Sequence, residues 1–372
     1  MLKYDCSHFS GDHPCIFNKE YGLTCNNCDH YKPIGKKILI IKLDAIGDVL
    51  RTTSILKPLR NKYPNYHISW CTRRNAYELF YLNNLVDEVI TVEDEAIVRL
   101  AIEYYDIVIN LDTSKISSSI AAYAMGNEKI GYFLNKQGYV TATSEAANTW
   151  LEMSAFDQIK ADNKKSYQQL MYEILELEDK IEEPVFNLNN FDQNKLQIKL
   201  NLNNNYPVIG LNTGVGPKWV SKGWPLNNWE KLVQLFQMNK FNILILGGPY
   251  EKERNKYLCN KYDFLTETGC DNSVYEFAEL INLCDVLITA DTFATHIGTA
   301  LKKYIIGLFG PTSLSEIYLY GRGIKLKADD ECKCFYKKNC NQETSCMEKI
   351  KPERVYESAI NILSNIKVQV KV

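Results

Sequence analysis

The sequence predicts an α/β protein: two Rossmann-like, doubly wound domains facing a central cleft, with a cysteine-rich arm in front. Three observations predict it. Buried-looking strands alternate with apolar-periodic helices from residue 36 onward, which is the β-α-β order of a parallel sheet. The rhythm breaks between Glu182 and Tyr206, a stretch rich in Asn and charge, and then resumes. A chain of 372 residues is also too long for one ordinary core. The expected division is an arm at 1–35, a first domain at 36–185 and a second at 186–372.

The arm has no helical or strand period. Cys6, Cys15, Cys25 and Cys28 lie among Gly, Pro, Asn and His. Cys25-x2-Cys28 presents two thiolates to one centre, and two more cysteines complete a four-sulfur set for zinc or iron–sulfur. A segment this short gains order from a metal; the alternative is a surface arm with free thiols.

The first strand is Ile38–Leu43, interrupted only by Lys42, and it stops at the turn Asp44-Ala45-Ile46-Gly47-Asp48 before a helix expected from Val49 to Lys62. Ligands bind outside the carboxyl ends of such strands. Gly47 permits close approach of the backbone to a ligand. The Asp48 carboxylate there serves as a general base or as a cap on the helix. Strands are expected at His67–Cys71, Glu88–Val92, Asp106–Leu111 and Lys129–Phe133, with helices at Ala76–Leu82, Ala96–Tyr104 and Ser117–Ala124, and mostly helix over 145–178.

In the second half, strands are expected at Pro207–Asn212, Asn242–Leu246, Asp285–Ala290 and Tyr304–Phe309. The helices between and after them are Asn228–Gln237, Glu251–Tyr262, Val274–Leu283 and Asp291–Leu301, with Pro352–Leu363 last. Three loops converge on the cleft. Lys222, in SKGWP, offers an ammonium to a phosphate or is a solvated loop residue. Asp291-Thr292 open a helix whose free N–H groups suit an anion, with His296 one turn on; the alternative is a capped helix with a satisfied histidine. The turn Gly310–Ser313 offers further N–H groups.

Composition narrows the class. Hydrophobic content of 45% and charged content of 24% are ordinary for a globular protein. A net charge of −2 gives no electrostatic case for nucleic acid. With no apolar run long enough to span a bilayer and no leader pattern, a cytoplasmic protein is expected. No GxxxxGK[ST] occurs, Gly214-Val215-Gly216 lacks the third glycine of a dinucleotide fingerprint, and no DxD is present. Eight of the twelve cysteines fall in two clusters. The second is Cys332, Cys334, Cys340 and Cys346, either a metal site or packed thiols. Cys71, Cys259, Cys270 and Cys284 lie in apolar elements and read as core.

The motifs ILIIKLDAIGDVLRTTSILKPLRNKYP, LVDEVI, YDIVINLD, KIGY, PVIGLNTG, KGWPLNNW, ILILGGP, ADTFATHIGTAL and GLFGPTS run in order from Ile38 to about Ser313. In this set the chain resembles the ADP-heptose:lipopolysaccharide heptosyltransferases, glycosyltransferase family 9. The resemblance implies a GT-B fold and inverting, metal-independent transfer from a nucleotide-sugar such as ADP-heptose. The implied acceptor is a bacterial surface glycan such as lipopolysaccharide core, reached by peripheral contact with the inner membrane. A protein acceptor of the autotransporter type fits the same residues. Asp48 takes the general-base role; Lys222 and the Asp291-Thr292 helix start stabilise the leaving diphosphate. Thr213, Gly214 and His296 assist, and Glu251 reaches the ribose. One branch of the family holds iron with four cysteines, an analogy for Cys332–Cys346. The chain departs from the family pattern at Phe293, where a small residue is usual, and in its arm. These two departures and the cysteine clusters keep open a metal-stabilised scaffold without turnover.

Overall fold

The computed structural model describes residues 1–93, 96–178, 180–189 and 191–369. Two six-stranded sheets carry it. The first holds β1 (Lys37–Ile41), β2 (His67–Thr72), β3 (Glu88–Thr91), β4 (Tyr104–Asn110), β5 (Met125–Leu134) and β6 (Val140–Ala142). Its order is β3-β2-β1-β4-β5-β6, parallel except for β6, which runs antiparallel to β5. The second holds β7 (Val208–Asn212), β8 (Asn242–Leu246), β9 (Leu265–Glu267), β10 (Val286–Ala290), β11 (Tyr304–Phe309) and β12 (Gly323–Lys327). Its order, β12-β11-β10-β7-β8-β9, is the same winding with every described pair parallel. In both sheets the strand order reverses beside the first strand, and a doubly wound sheet binds its ligands at that switch point.

The unbroken apolar runs are explained by burial on both faces. Ile38 and Ile40 of β1 enter one core, while Leu39 and Ile41 enter another on the opposite face. In β8 the same alternation sends Leu244 and Leu246 one way and Ile243 and Ile245 the other. The first of these cores crosses from one sheet to the other, joining Ile38 and Val49 to Leu287 and Ile297. The final helix, Pro352–Gln369, packs Val355, Ala359, Ile362 and Leu363 onto the second sheet.

Several boundaries move. The helix after β1 starts at Ile46 and runs to Thr52, then passes through a 3₁₀ turn into Leu56–Lys62. Asp48 therefore sits inside the first helical turn, not ahead of it. The helix expected over Ala96–Tyr104 stops at Leu100, because Tyr104 and Tyr105 pair with Met125 and Gly126 as the start of β4. The stretch Glu182–Tyr206, expected to be irregular, contains the helix Gln193–Lys199, capped by Asp192 on the Lys195 N–H at 3.0 Å. The edge strands β6, β9 and β12 are short or carry alternating lysines, so they give no buried-strand signal.

Candidate active site

The two sheets turn their carboxyl edges to one cleft of about 660 Å³. From the first half it is lined by Ala45–Asp48, Arg51 and Lys160. The second half contributes Asn212, Gly214, Lys222, Glu251, Thr292, His296 and Glu316, among others.

On the first side, β1 ends beneath a buried ion pair. Lys42 Nζ donates to Asp112 Oδ1 at 3.0 Å, and Asp112 Oδ2 accepts the Leu43 and Asp44 N–H groups at 2.9 and 3.1 Å. This pair clamps the turn from which the helix Ile46–Thr52 rises. Asp48, three residues in, accepts the Ala45 N–H at 3.3 Å and pairs with Arg51 Nη2 at 2.8 Å. Asp48 thus caps the turn, and its side chain, 34% exposed, lines the cleft. Desolvation opposes its charge, but the Arg51 guanidinium and then Lys42 hold the carboxyl well below the usual carboxylate range.

Gly47 serves a different neighbour from the one expected. A Cβ there would lie 2.5 Å from Cδ2 and 3.1 Å from Nε2 of His296, so what approaches the backbone is a histidine from the other half. The helices Ile46–Thr52 and Phe293–Ala300 pack together through this contact. Burial, reinforced by the Arg51 charge, pushes His296 down to about 4, which leaves a neutral imidazole at physiological pH.

On the second side, Lys222 Nζ donates to Asp291 Oδ2 at 2.9 Å and to the Asp291 carbonyl at 3.2 Å. Desolvation would raise the Asp291 carboxyl, yet Lys222 keeps it below its ordinary value. Lys222 is thereby fixed over the start of the helix Phe293–Ala300, whose N-cap is Thr292. The Thr292 hydroxyl accepts from Asn212 Nδ2 at 3.3 Å, tying the end of β7 to the end of β10. Glu251 lies folded under Gly214: its Oε2 accepts the Gly248 N–H at 2.9 Å, and a Cβ on Gly214 would meet its Cδ at 2.2 Å. Phe293 lines the cleft with Phe277 in near-parallel stacking, 6.4 Å between centroids.

Thr213 does not join them. Its side chain is fully buried and donates to Asn255 Oδ1 at 2.6 Å, so the alternation of β7 turns it beneath the cleft floor. It supports the floor through Asn255, which also donates to the Leu246 carbonyl at 3.2 Å.

Sequence reasoning missed a second group across the cleft. Arg51 also approaches Glu316 Oε2 at 3.8 Å and lies over the Tyr167 ring at 3.8 Å. Lys160 stands 3.7 Å from Glu316 Oε1 and 4.2 Å from the Tyr336 ring centroid, and the Tyr336 hydroxyl donates to Glu316 at 3.3 Å. Burial outweighs these cations and raises the Glu316 carboxyl. Arg51 had a readable signal, its i, i+3 spacing from Asp48; Lys160, Glu316 and Tyr336 had none beyond proximity of Glu316 to the GPTS turn.

The cysteine clusters differ. Cys334 and Cys340 have sulfurs 3.0 Å apart, and Cys332 and Cys346 are 3.4 Å apart, so the second set meets in two pairs beside the turn at Gly310. Cys6, Cys15, Cys25 and Cys28 instead line one cavity in the arm. Among the described residues no three His, Cys, Asp or Glu side chains converge on a single-ion position. Cys71, Cys270 and Cys284 are buried and Cys259 packs against the second core, as expected of core thiols.

Two Rossmann sheets facing a shared cleft define the GT-B class of fold. Within that class the chain belongs to glycosyltransferase family 9 (heptosyltransferase), whose sequence profile matches residues 97–351. It is 31% identical over 183 residues to lipooligosaccharide heptosyltransferase 2 of Campylobacter jejuni, covering 46% of this chain and 56% of that one. The chain thus spans about half the length of that curated relative. The solved glycosyltransferase family 9 structure from Veillonella parvula matches with a TM-score of 0.74 at 20% identity, over 90% of this chain and 99% of that one. The Escherichia coli ADP-heptose LPS heptosyltransferase II gives 0.66 at 17%, over 89% and 99%. At these identities the structural likeness speaks for the fold. No described helix is long and apolar enough to cross a membrane.

Proposed function

We propose that this protein is an inverting glycosyltransferase that moves a sugar, heptose from ADP-heptose, onto a bacterial surface glycan of the lipopolysaccharide core type. The names of the Campylobacter and Escherichia relatives support the donor and acceptor classes. The observation that carries the chemistry is that Asp48 and Lys222, from opposite halves, line one cleft.

In this reading the acceptor hydroxyl oxygen attacks the anomeric carbon from the first-domain side while the bond to the diphosphate breaks. Asp48 takes the hydroxyl proton. Its depressed pKa keeps it ionised until the transfer, and it becomes an adequate base once attack has made the hydroxyl oxygen acidic. Negative charge grows on the leaving diphosphate, and Lys222, held by Asp291, stabilises it together with the N–H groups opening the helix Phe293–Ala300. Gly214 and Glu251 border the nucleotide end, and the neutral His296 offers a hydrogen bond without competing for the proton. Three of the four cleft carboxylates, Asp48, Asp291 and Glu316, are each committed to a cation of the chain, which supports a metal-independent course. A nucleotide-sugar donor places the reaction in the cytoplasm, with the membrane-borne glycan approached from that side.

The test is transfer from ADP-heptose to lipopolysaccharide core by wild type, Asp48→Asn and Lys222→Ala. Loss of Asp48 should lower kcat about 10²–10⁴-fold with folding intact. Wild-type rates in both variants would defeat this reading, and transfer to a protein in place of the glycan would redirect the acceptor.

A further inference from the structure

Asp48 does not have its cation to itself. Arg51 is buried, and its guanidinium lies between two carboxylates, one from each half of the molecule. Nη2 stands 2.8 Å from Asp48 Oδ1 and 3.8 Å from Glu316 Oε2, while Nη1 donates to the Glu316 carbonyl at 3.5 Å. The guanidinium carbon lies 3.8 Å from the Tyr167 ring centroid. A 2.7 Å hydrogen bond between Tyr167 Oη and Thr52 Oγ1 fixes that ring to the helix that carries Asp48, and the Tyr167 N–H donates to the Glu316 carbonyl at 3.1 Å.

A guanidinium binds a carboxylate most strongly through a two-bond fork. Arg51 instead shares one nitrogen between Asp48 and Glu316, and its buried Nε has no hydrogen-bond partner among the described residues. Glu316, only 4% exposed, is itself fixed by the Tyr336 hydroxyl at 3.3 Å and by Lys160 Nζ at 3.7 Å, so its charge stays at the guanidinium. It follows the turn Gly310–Ser313 on the half that carries Lys222 and Asp291, and the Tyr336 N–H ties that turn down by donating to the Pro311 carbonyl at 2.8 Å. A carboxylate engaged by one cation alone is a weaker proton acceptor. A second carboxylate on the same nitrogen divides the cation's pull, and at a buried site water screens little of that effect.

We propose that Glu316 is a positioning residue for the Asp48 base and acts through Arg51. It draws on the guanidinium from the donor-binding half and so leaves the Asp48 carboxylate free to receive the acceptor proton. This rests on the transferase reading above, in which Asp48 takes that proton. The setting of the base then depends on both halves, since only the assembled cleft brings Glu316 to Arg51.

The experiment is steady-state transfer from ADP-heptose to lipopolysaccharide core, with the ADP Kd measured in parallel. The panel is wild type, Asp48→Asn, Glu316→Gln, Arg51→Met and Glu316→Gln/Arg51→Met. Glu316→Gln should lower kcat about tenfold or more, short of the about 10²–10⁴-fold lost with Asp48, while donor KM and ADP Kd stay within about twofold. In the Arg51→Met background the same substitution should change kcat by less than about twofold, because the cation through which it acts is gone. If either substitution prevents folding, Glu316→Asp decides: it keeps the charge but withdraws it by one methylene, and should lower kcat with donor KM unchanged. Wild-type kcat in Glu316→Gln or Glu316→Asp beside an impaired Asp48→Asn, a loss carried by KM, or an equal loss with and without Arg51 would overturn this assignment alone. Asp48→Asn transferring at the wild-type rate would remove the base, and this assignment with it.

Discussion

Replacing Gly47 with alanine probes the contact that joins the two halves. The added Cβ would lie 2.5 Å from His296 Cδ2, whereas carbon atoms in ordinary contact stand about 3.5–4.0 Å apart, so about 1 Å must be found. The helix Ile46–Thr52 cannot readily supply it, because Val49 and Leu50 are fully buried on its inner face. Overpacking of this kind costs about 1–3 kcal/mol, and rotation of the imidazole brings the expectation to the lower half of that range. The assay is urea denaturation of wild type, Gly47→Ala, His296→Ala and the double variant. Removing the ring removes the obstacle, so Gly47→Ala should cost little in the His296→Ala background, giving a coupling of at least about 1 kcal/mol. Additivity within about 0.5 kcal/mol would refute the reasoning, since it would mean that the two residues do not meet.

Lys42→Met should destabilise the protein by about 3 kcal/mol, the lower end for a broken buried pair, because Asp112 keeps its two backbone N–H partners; denaturation midpoints check this. Gly214→Ala would drive a Cβ into Glu251 and should weaken ADP binding at least about tenfold, equivalent to about 1.4 kcal/mol, by calorimetry. An unchanged Kd would remove Gly214 and Glu251 from the donor site. His296 titrates at about 4 in the folded chain and at about 6.5 when unfolded. Between these values the unfolded chain binds the extra proton, so the His296 contribution is complete above pH 6.5 and is lost as pH falls toward 4. His296→Gln should flatten that part of the stability–pH curve, and an unaltered slope would contradict the burial of the ring.

The repeated β-α-β pattern was legible because strands buried on both faces must be written in aliphatic residues, as in Lys37–Ile41 and Asn242–Leu246. The turn residues at the carboxyl ends of those strands were legible for the complementary reason: a sheet edge that binds ligands carries Gly, Asp, Thr and Lys where packing alone would place apolar groups. Asp48, Lys222, Thr292 and His296 were found in this way, Gly214 and Glu251 through the family resemblance, and all of them line the cleft. Local pattern by itself therefore determined the fold class and most of the rim of the site.

Tertiary structure decided how those residues are used. Thr213 follows Asn212 in the same loop motif, yet its side chain is turned beneath the floor toward Asn255. Gly47 reads as room for a ligand, but the space is taken by His296, some 250 residues away in the chain and one helix packing away in space. The Arg51–Glu316–Lys160–Tyr336 group draws its members from four separate segments, and beyond the Asp48–Arg51 spacing no local charge pattern announces it. Periodicity and turn chemistry are local properties of a chain, whereas pairing of charges and the filling of space depend on which distant segments meet.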